Sequence, residues 1–421
     1  MLINFLRILV CFTFFLSSAC LFAQGVWQTQ APLPTPRSEI AAAELDGKIY
    51  VFGGILESEA ATNAVEVYDI AEDRWTAAAP LPIALHHIGA TAANDKIYAV
   101  GGLGGGFVPV NTLFEYDPLT NQWSRKADLP AARGAMAVAV ADGKIYALGG
   151  QKPGIVATTD NTQYDPQTNS WREWVPMPTA REHAAAAAID GKIYVAGGRQ
   201  GFLATNLSTL EVYDPAAFRW KSLPDMPTAR SGIAAVALNG RLYVFGGESA
   251  PGTFNQNEEF DPATESWRAM TAMPTARHGL GAISFGGKIY VIGGGPQPGL
   301  SVSNAHEVFT PPTTRVEEAT ATIRNFRLLQ NHPNPWSRSS PFPQTIIRYH
   351  LPEAAEVSVS IYNALGQRVR LLLAESTQLA GEHSVNWDGH NDAQKAVRTG
   401  IYFYQLEVGR RTAWGKLIVM E

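Results

Sequence analysis

The pattern that organises the chain is a short alternating run, Asp190-Gly191-Lys192-Ile193-Tyr194-Val195-Ala196-Gly197-Gly198, and it occurs six times. Its side chains alternate in and out with a period of two, which predicts a half-buried strand rather than a helix. Each copy opens with two residues that tolerate φ > 0, Asp-Gly or Asn-Gly in most copies, so the rest of the run is expected to be the second strand of a tight hairpin. The relatives span 46–54, 94–102, 142–150, 239–247 and 286–294. Their Gly pairs at 53/54, 101/102, 149/150, 197/198, 246/247 and 293/294 give a period of 48, 48, 48, 49 and 47 residues. A period of this size is the mark of stacked supersecondary units.

The rest of the repeat is equally regular. Upstream lies Pro-x-x-Arg followed by a run of small residues, as in Pro178-Thr179-Ala180-Arg181-Glu182-His183-Ala184. Downstream come Tyr68-Asp69, Tyr116-Asp117, Tyr164-Asp165, Tyr213-Asp214 and Phe260-Asp261, each followed by a tryptophan: Trp75, Trp123, Trp171, Trp220 and Trp267. That makes four strands per repeat, one blade of a β-propeller. The Gly-Gly, Tyr-Asp and Trp landmarks resemble the Kelch family over about two-thirds of the chain. The resemblance implies an all-β fold, a six-bladed Kelch β-propeller. Its sixth repeat ends at Glu307-Val308-Phe309-Thr310 with no Trp, while Val26-Trp27 has no repeat before it. The N-terminal strand is therefore expected to complete the sixth blade and pair two otherwise open edges.

Composition refines this picture at the ends. Residues 1–23 read as a signal peptide: Arg7 is the positive start, 8–16 a short apolar run, and Ala23 the small residue at the cleavage point. Both cysteines, Cys11 and Cys20, fall there, so a chain cut after Ala23 has no thiol chemistry. That argues against the copper-radical branch of the family, which the resemblance associates with a cysteine cross-linked to tyrosine. No later apolar run is long enough for a transmembrane helix. Residues 24–310 carry 20 Lys and Arg against 28 Asp and Glu, a balance that argues against nucleic acid as a partner.

Residues 311–324, rich in Pro, Thr and charge, read as a linker. From 325 to 421 the strand pattern changes, with β-branched or aromatic runs at 345–349, 357–362 and 401–408 that predict a small C-terminal β-sandwich. Its landmarks are Gln330-Asn331-His332-Pro333-Asn334-Pro335, Leu351-Pro352, Ile361-Tyr362-Asn363, Gly366, Trp387-Asp388-Gly389, Gly400-Ile401-Tyr402-Phe403-Tyr404 and Lys416. They resemble the C-terminal sorting domain of the type IX secretion system and, more loosely, a related immunoglobulin-like module. The resemblance implies that residues 325–421 engage that secretion machinery, and hence a protein at the cell surface or outside the cell.

Candidate chemistry lies where the strand after Pro-x-x-Arg starts, which in Kelch domains opens at one mouth of the central channel. Around the ring this position reads Arg37, Leu85, Arg133, Arg181, Arg230 and Arg277; beside it stand Glu39, His86, His87, Glu182, His183 and His278. Five His fall within the repeats, and four of them occupy these equivalent places. Two readings of the Arg set stay open, a structural part of the repeat or a ligand-binding ring. The variable His and Glu beside it favour function. Together the eleven residues predict a binding site for an acidic glycan or acidic peptide, since Arg suits a carboxylate. The alternative is a sugar-active enzyme, since some six-bladed Kelch proteins resemble sialic-acid mutarotases. No cofactor is expected and no metal site is assigned; a His-based one would need the ring to gather His86, His87, His183 and His278.

Overall fold

In the computed structural model, residues 24–312, 326–329, 331, 333–337, 344–351, 354–409 and 411–420 are described. The signal-peptide reading, most of the linker, and the landmarks Gln330, His332 and Pro352 lie outside them. The chain divides into two compact units that part after Thr313.

The first unit is a propeller of six four-stranded antiparallel sheets. The fourth blade shows the plan: Ala185–Ile189, Lys192–Ala196, Leu210–Asp214 and Arg219–Leu223, from the channel outward. The innermost strands are rich in small residues, Ala above all, because six of them converge on one axis and a row of larger side chains would collide. The second strands are buried on both faces, and their Ile, Tyr and Val fill the space between neighbouring blades. The two-residue turns before them adopt the expected left-handed conformation, with φ of 50° at Asp190 and 75° at Gly191.

Two interactions join each blade to the next. The second Gly of each pair donates its N–H to the carbonyl at the Arg position of the following blade: Gly102 to Arg133 at 2.9 Å and Gly198 to Arg230 at 3.0 Å. A Cβ on Gly101 would lie 2.4 Å from the Arg133 carbonyl oxygen, so no larger residue fits this approach. The indole N–H of each repeat Trp, in turn, donates to a carbonyl at the end of the preceding blade, as Trp123 does to Ala79 at 2.9 Å.

The join follows the same rules. Val26–Thr29 pairs antiparallel with His306–Thr310 and becomes the outer strand of the sixth blade. Trp27 donates to the Thr271 carbonyl at 2.9 Å, and Gly294 donates to the Arg37 carbonyl at 3.0 Å. The ring is closed by the N-terminal strand.

The second unit is a β-sandwich. A three-stranded sheet (Arg327–Leu328, Thr345–Leu351, Gly381–Trp387) faces a five-stranded one that includes Ala355–Asn363, Gly400–Val408 and Arg411–Met420. Trp336, Tyr349, Trp387, Tyr404 and Leu406 fill its interior. Trp387 and Tyr404, singled out as sequence landmarks, are thus core residues. Among the described residues no helix is long and apolar enough to cross a membrane.

Candidate functional site

The repeated arginines do not reach the channel. Arg37, Arg133, Arg181, Arg230 and Arg277 are fully buried inside their own blades. Arg181 meets Glu211 at 2.6 Å and the carbonyls of Gly197 and Thr209, and Arg277 meets Glu307 at 2.5 Å and the Val291 carbonyl. Arg37 is paired with Glu66 at 2.8 Å, Arg230 with Glu258, and Arg133 binds Thr162 and the Gly149 carbonyl. Burial lowers the pKa of each guanidinium, to about 10 for Arg133, where Asp160 at 3.7 Å is a distant partner. The ligand-binding reading of these five residues is therefore corrected: they are buried away from the channel, their guanidinium groups turned to carboxylates, Thr162 and backbone carbonyls of their own blades, and they act as struts.

The His and Glu set behaves differently. Six residues, Glu39, His87, Ala135, His183, Gly232 and Gly279, stand one per blade around the mouth and all have φ between 51° and 63°. His87 N–H donates to the Glu39 carbonyl, and Ala135, His183, Gly232 and Gly279 continue the chain at 2.9–3.0 Å, each donating to the residue before it. The ring thus imposes a left-handed backbone that Gly meets most easily and that costs other residues of order 1 kcal/mol or more. Glu39, His87 and His183 occupy it nonetheless. They line a cavity of about 90 Å³ together with Ile40, Ile88 and Met136.

A belt of contacts links these side chains. His86 and His87 touch through their Nδ1 atoms. His87 Nε2 lies 3.3 Å from Glu39, and the other Glu39 oxygen is 3.4 Å from His278 Nε2. His278 also bonds the carbonyls of Gly295 and Gly299. Glu182 holds His183 Nδ1 on one side and Arg199 at 2.7 Å on the other, and Arg199 spans to Glu248 at 2.7 Å and to His183 Nε2 at 3.1 Å.

Burial sets the charges here. It pushes His86 down to about 4 and His87 well below the usual range, with His183 adding to both, so these imidazoles are neutral at pH 7. Burial alone would raise Glu182 and Glu248, but His183 and Arg199 around the first, and His278, the Gly299 N–H and Arg199 around the second, hold both carboxylates below their ordinary value.

Sequence reasoning missed Arg199, Glu248 and Gln151. Each directly follows a Gly pair, and in the fold that position pairs antiparallel with the residue after the Arg position: Arg199 with Glu182, Glu248 with Ser231, Gln151 with Gly134. Reading this second position around the ring would have found them.

Above the belt opens a cleft of about 530 Å³. His87, His183, Arg199 and Gln151 form its floor, and loops of the second, third and fourth blades raise Phe107, Ile155 and Phe202 as its walls. These walls are 45%, 51% and 70% exposed, and Phe107 and Ile155 sit at φ of 58° and 60°, a conformation that bulky or β-branched residues avoid. Phe107 packs edge-on to His86 at 4.7 Å.

Residues 24–198 and 175–294 match the KLHDC2/KLHL20/DRC7 Kelch-repeats domain. The chain belongs to the Kelch-repeat family. Residues 343–412 of this Kelch protein match the FlgD Ig-like domain. Among solved structures it is similar to "Structure of YjhT", with a TM-score of 0.60 at 16% identity, over 68% of this chain and 98% of that one; this likeness concerns the fold. No curated protein matches it.

Proposed function

We propose that this Kelch protein is an exported binding protein that holds a carbohydrate at the channel mouth. One observation carries the reading: exposed apolar side chains, two of them on strained backbone, wall a cleft floored by His87, His183, Arg199 and Gln151. Apolar walls with a few placed polar groups are what small-ligand sites need, and aromatic faces suit the C–H face of a sugar ring. With the five repeat arginines used as struts, Arg199 is the cation of the floor, and two glutamates already bind it. A neutral sugar therefore fits better than the acidic ligand that the arginine ring suggested.

The test is a glycan and sugar-acid binding screen on the mature chain. A neutral glycan should bind, and Phe202→Ala should weaken it about tenfold at unchanged melting temperature, since an aromatic contact contributes about 0.5–1.5 kcal/mol beyond area. Selective binding of sugar acids, or no effect of Phe202→Ala, would overturn the assignment.

A catalytic reading draws on a separate feature, the neutral His87 beside Glu39 and the Glu182–His183 pair, which can pass a proton to and from a sugar oxygen. Export follows from the character of residues 1–23 and the landmarks of the second unit, which we read as addressing the protein to the cell surface through type IX secretion. Retention in the periplasm of a chain ending at Thr310 supports that address; normal surface display of the shortened chain refutes it.

A further inference from the structure

We propose that Glu39, His87 and His183 form a binding site for one divalent transition-metal ion, zinc being the best fit to two imidazoles and a carboxylate. The inference rests on the mouth being a site, and not on its ligand being a sugar.

Each of the three residues offers one ligand atom, and these atoms lie within 4.8 Å of one another. Glu39 Oε2 and His87 Nε2 are 3.3 Å apart. Two ligands at zinc distances of about 2.0–2.1 Å and a tetrahedral angle stand about 3.3–3.4 Å apart, so this pair needs little adjustment. His183 completes the set after a small closure, with its ring 4.7 Å from that of His87.

The surroundings are those that metal-binding imidazoles have. Glu182 engages Nδ1 of His183, which directs Nε2 and its lone pair the other way. His86 engages Nδ1 of His87, leaving Nε2 toward Glu39. Arg199 contacts His183 Nε2 at 3.1 Å, and an ion would take that place; Arg199 keeps Glu182 and Glu248 on its other nitrogens.

Charge points the same way. Three carboxylates, Glu39, Glu182 and Glu248, gather at the belt with one guanidinium, Arg199, which pairs with Glu182 and Glu248 while Glu39 lies against His87 and His278. A dication beside Glu39 adds the positive charge that such a group of buried carboxylates favours. His87 and His183 also line the cleft, so a fourth coordination position open to it is available to water or a ligand, as in catalytic rather than structural zinc sites.

The experiment is titration of the metal-stripped mature chain with Zn²⁺ by calorimetry, and with Co²⁺ by visible absorption. The expected result is one ion per chain and cobalt bands of four- or five-coordinate character. Glu39→Gln, nearly isosteric, should weaken binding at least tenfold, and His183→Ala at least a hundredfold, while His390→Ala in the second unit changes nothing. Absence of saturable binding to the unmodified chain overturns the proposal whether or not the variants fold. So does binding indifferent to Glu39→Gln. Glycan binding that persists in metal-stripped protein separates the two readings, since the cleft walls do not depend on the ion.

Discussion

Arg230 shows what the repeated arginine contributes. Its guanidinium reaches Glu258, the carbonyls of Gly246 at 2.7 Å and Val244 at 3.1 Å, and the Thr228 carbonyl at 3.0 Å, all within one blade. Removing one partner of such a buried pair leaves an uncompensated charge, whereas replacing both by apolar groups can be neutral. The second blade already makes that exchange: Leu85 and Phe114 stand where the others have Arg and a polar partner, and they pack in one cluster. Arg230→Ala should therefore cost about 3–5 kcal/mol in urea denaturation. The double variant R230L/E258F should recover most of the loss. Equal stabilities for the unmodified chain and R230A would refute the strut role. This role was legible in the sequence. The blade that lacks Arg also lacks the Glu two residues before its Tyr-Asp, and the third blade, with Thr162 there, places Asp160 nearby instead. Read one position at a time, the arginines looked like a ring facing a ligand; matched with their partners, they read as struts.

At the scale of elements, closure rests on four residues at the N-terminus. Val26–Thr29 supplies an outer strand, and Trp27 supplies both the bond to Thr271 and packing on Phe245 and Phe309 at 5.9 and 5.0 Å. Trp27→Ala should destabilise the propeller by about 3 kcal/mol, the low end for a large aromatic because the residue is half-buried. Deleting residues 24–30 should cost more, since it also opens the edge of His306–Thr310. Thermal melting decides this: a deletion variant that melts with the unmodified chain would mean that the ring does not depend on its closing strand. The blades, their hairpins and this closure were readable because spacing of Gly pairs and Trp fixes register, and a shift of one residue would turn every side chain to the wrong face. The floor of the mouth was half readable. Glu39, His87 and His183 share one repeat position, but Arg199 and Glu248 arrive from a different strand, and only the pairing across the hairpin brings the two positions together. The cleft walls were not readable, because loops of unequal length carry no register.

At the scale of the whole propeller, acid should act on it through histidine before most carboxylates titrate. His86 and His306 are held at about 4, against an ordinary 6.5, and His87 lies well below that ordinary value; burial is the leading cause in all three. A depressed folded-state pKa means that between about 6.5 and 4 the unfolded chain binds protons that the folded chain refuses. The stability these neutral imidazoles confer is thus complete above pH 6.5 and is lost as pH falls through the window toward 4. The slope is up to about 1.4 kcal/mol per pH unit for each such group. The depressed Glu182 and Glu248 add loss in the same direction at lower pH. Melting temperature should accordingly stay level from pH 8 to 6.5 and then drop steadily. His306→Gln, away from the mouth in the outer part of the sixth blade, should make that drop shallower, because one group that resists protonation has gone. Bound zinc should steepen the acid loss if it occupies the mouth, since protons then compete for His87 and His183 as well. A melting temperature that stays level from pH 6.5 to 4.5 would show that these rings take up protons freely in the fold, and the neutral state of His86 and His87 at the channel mouth would have to be abandoned.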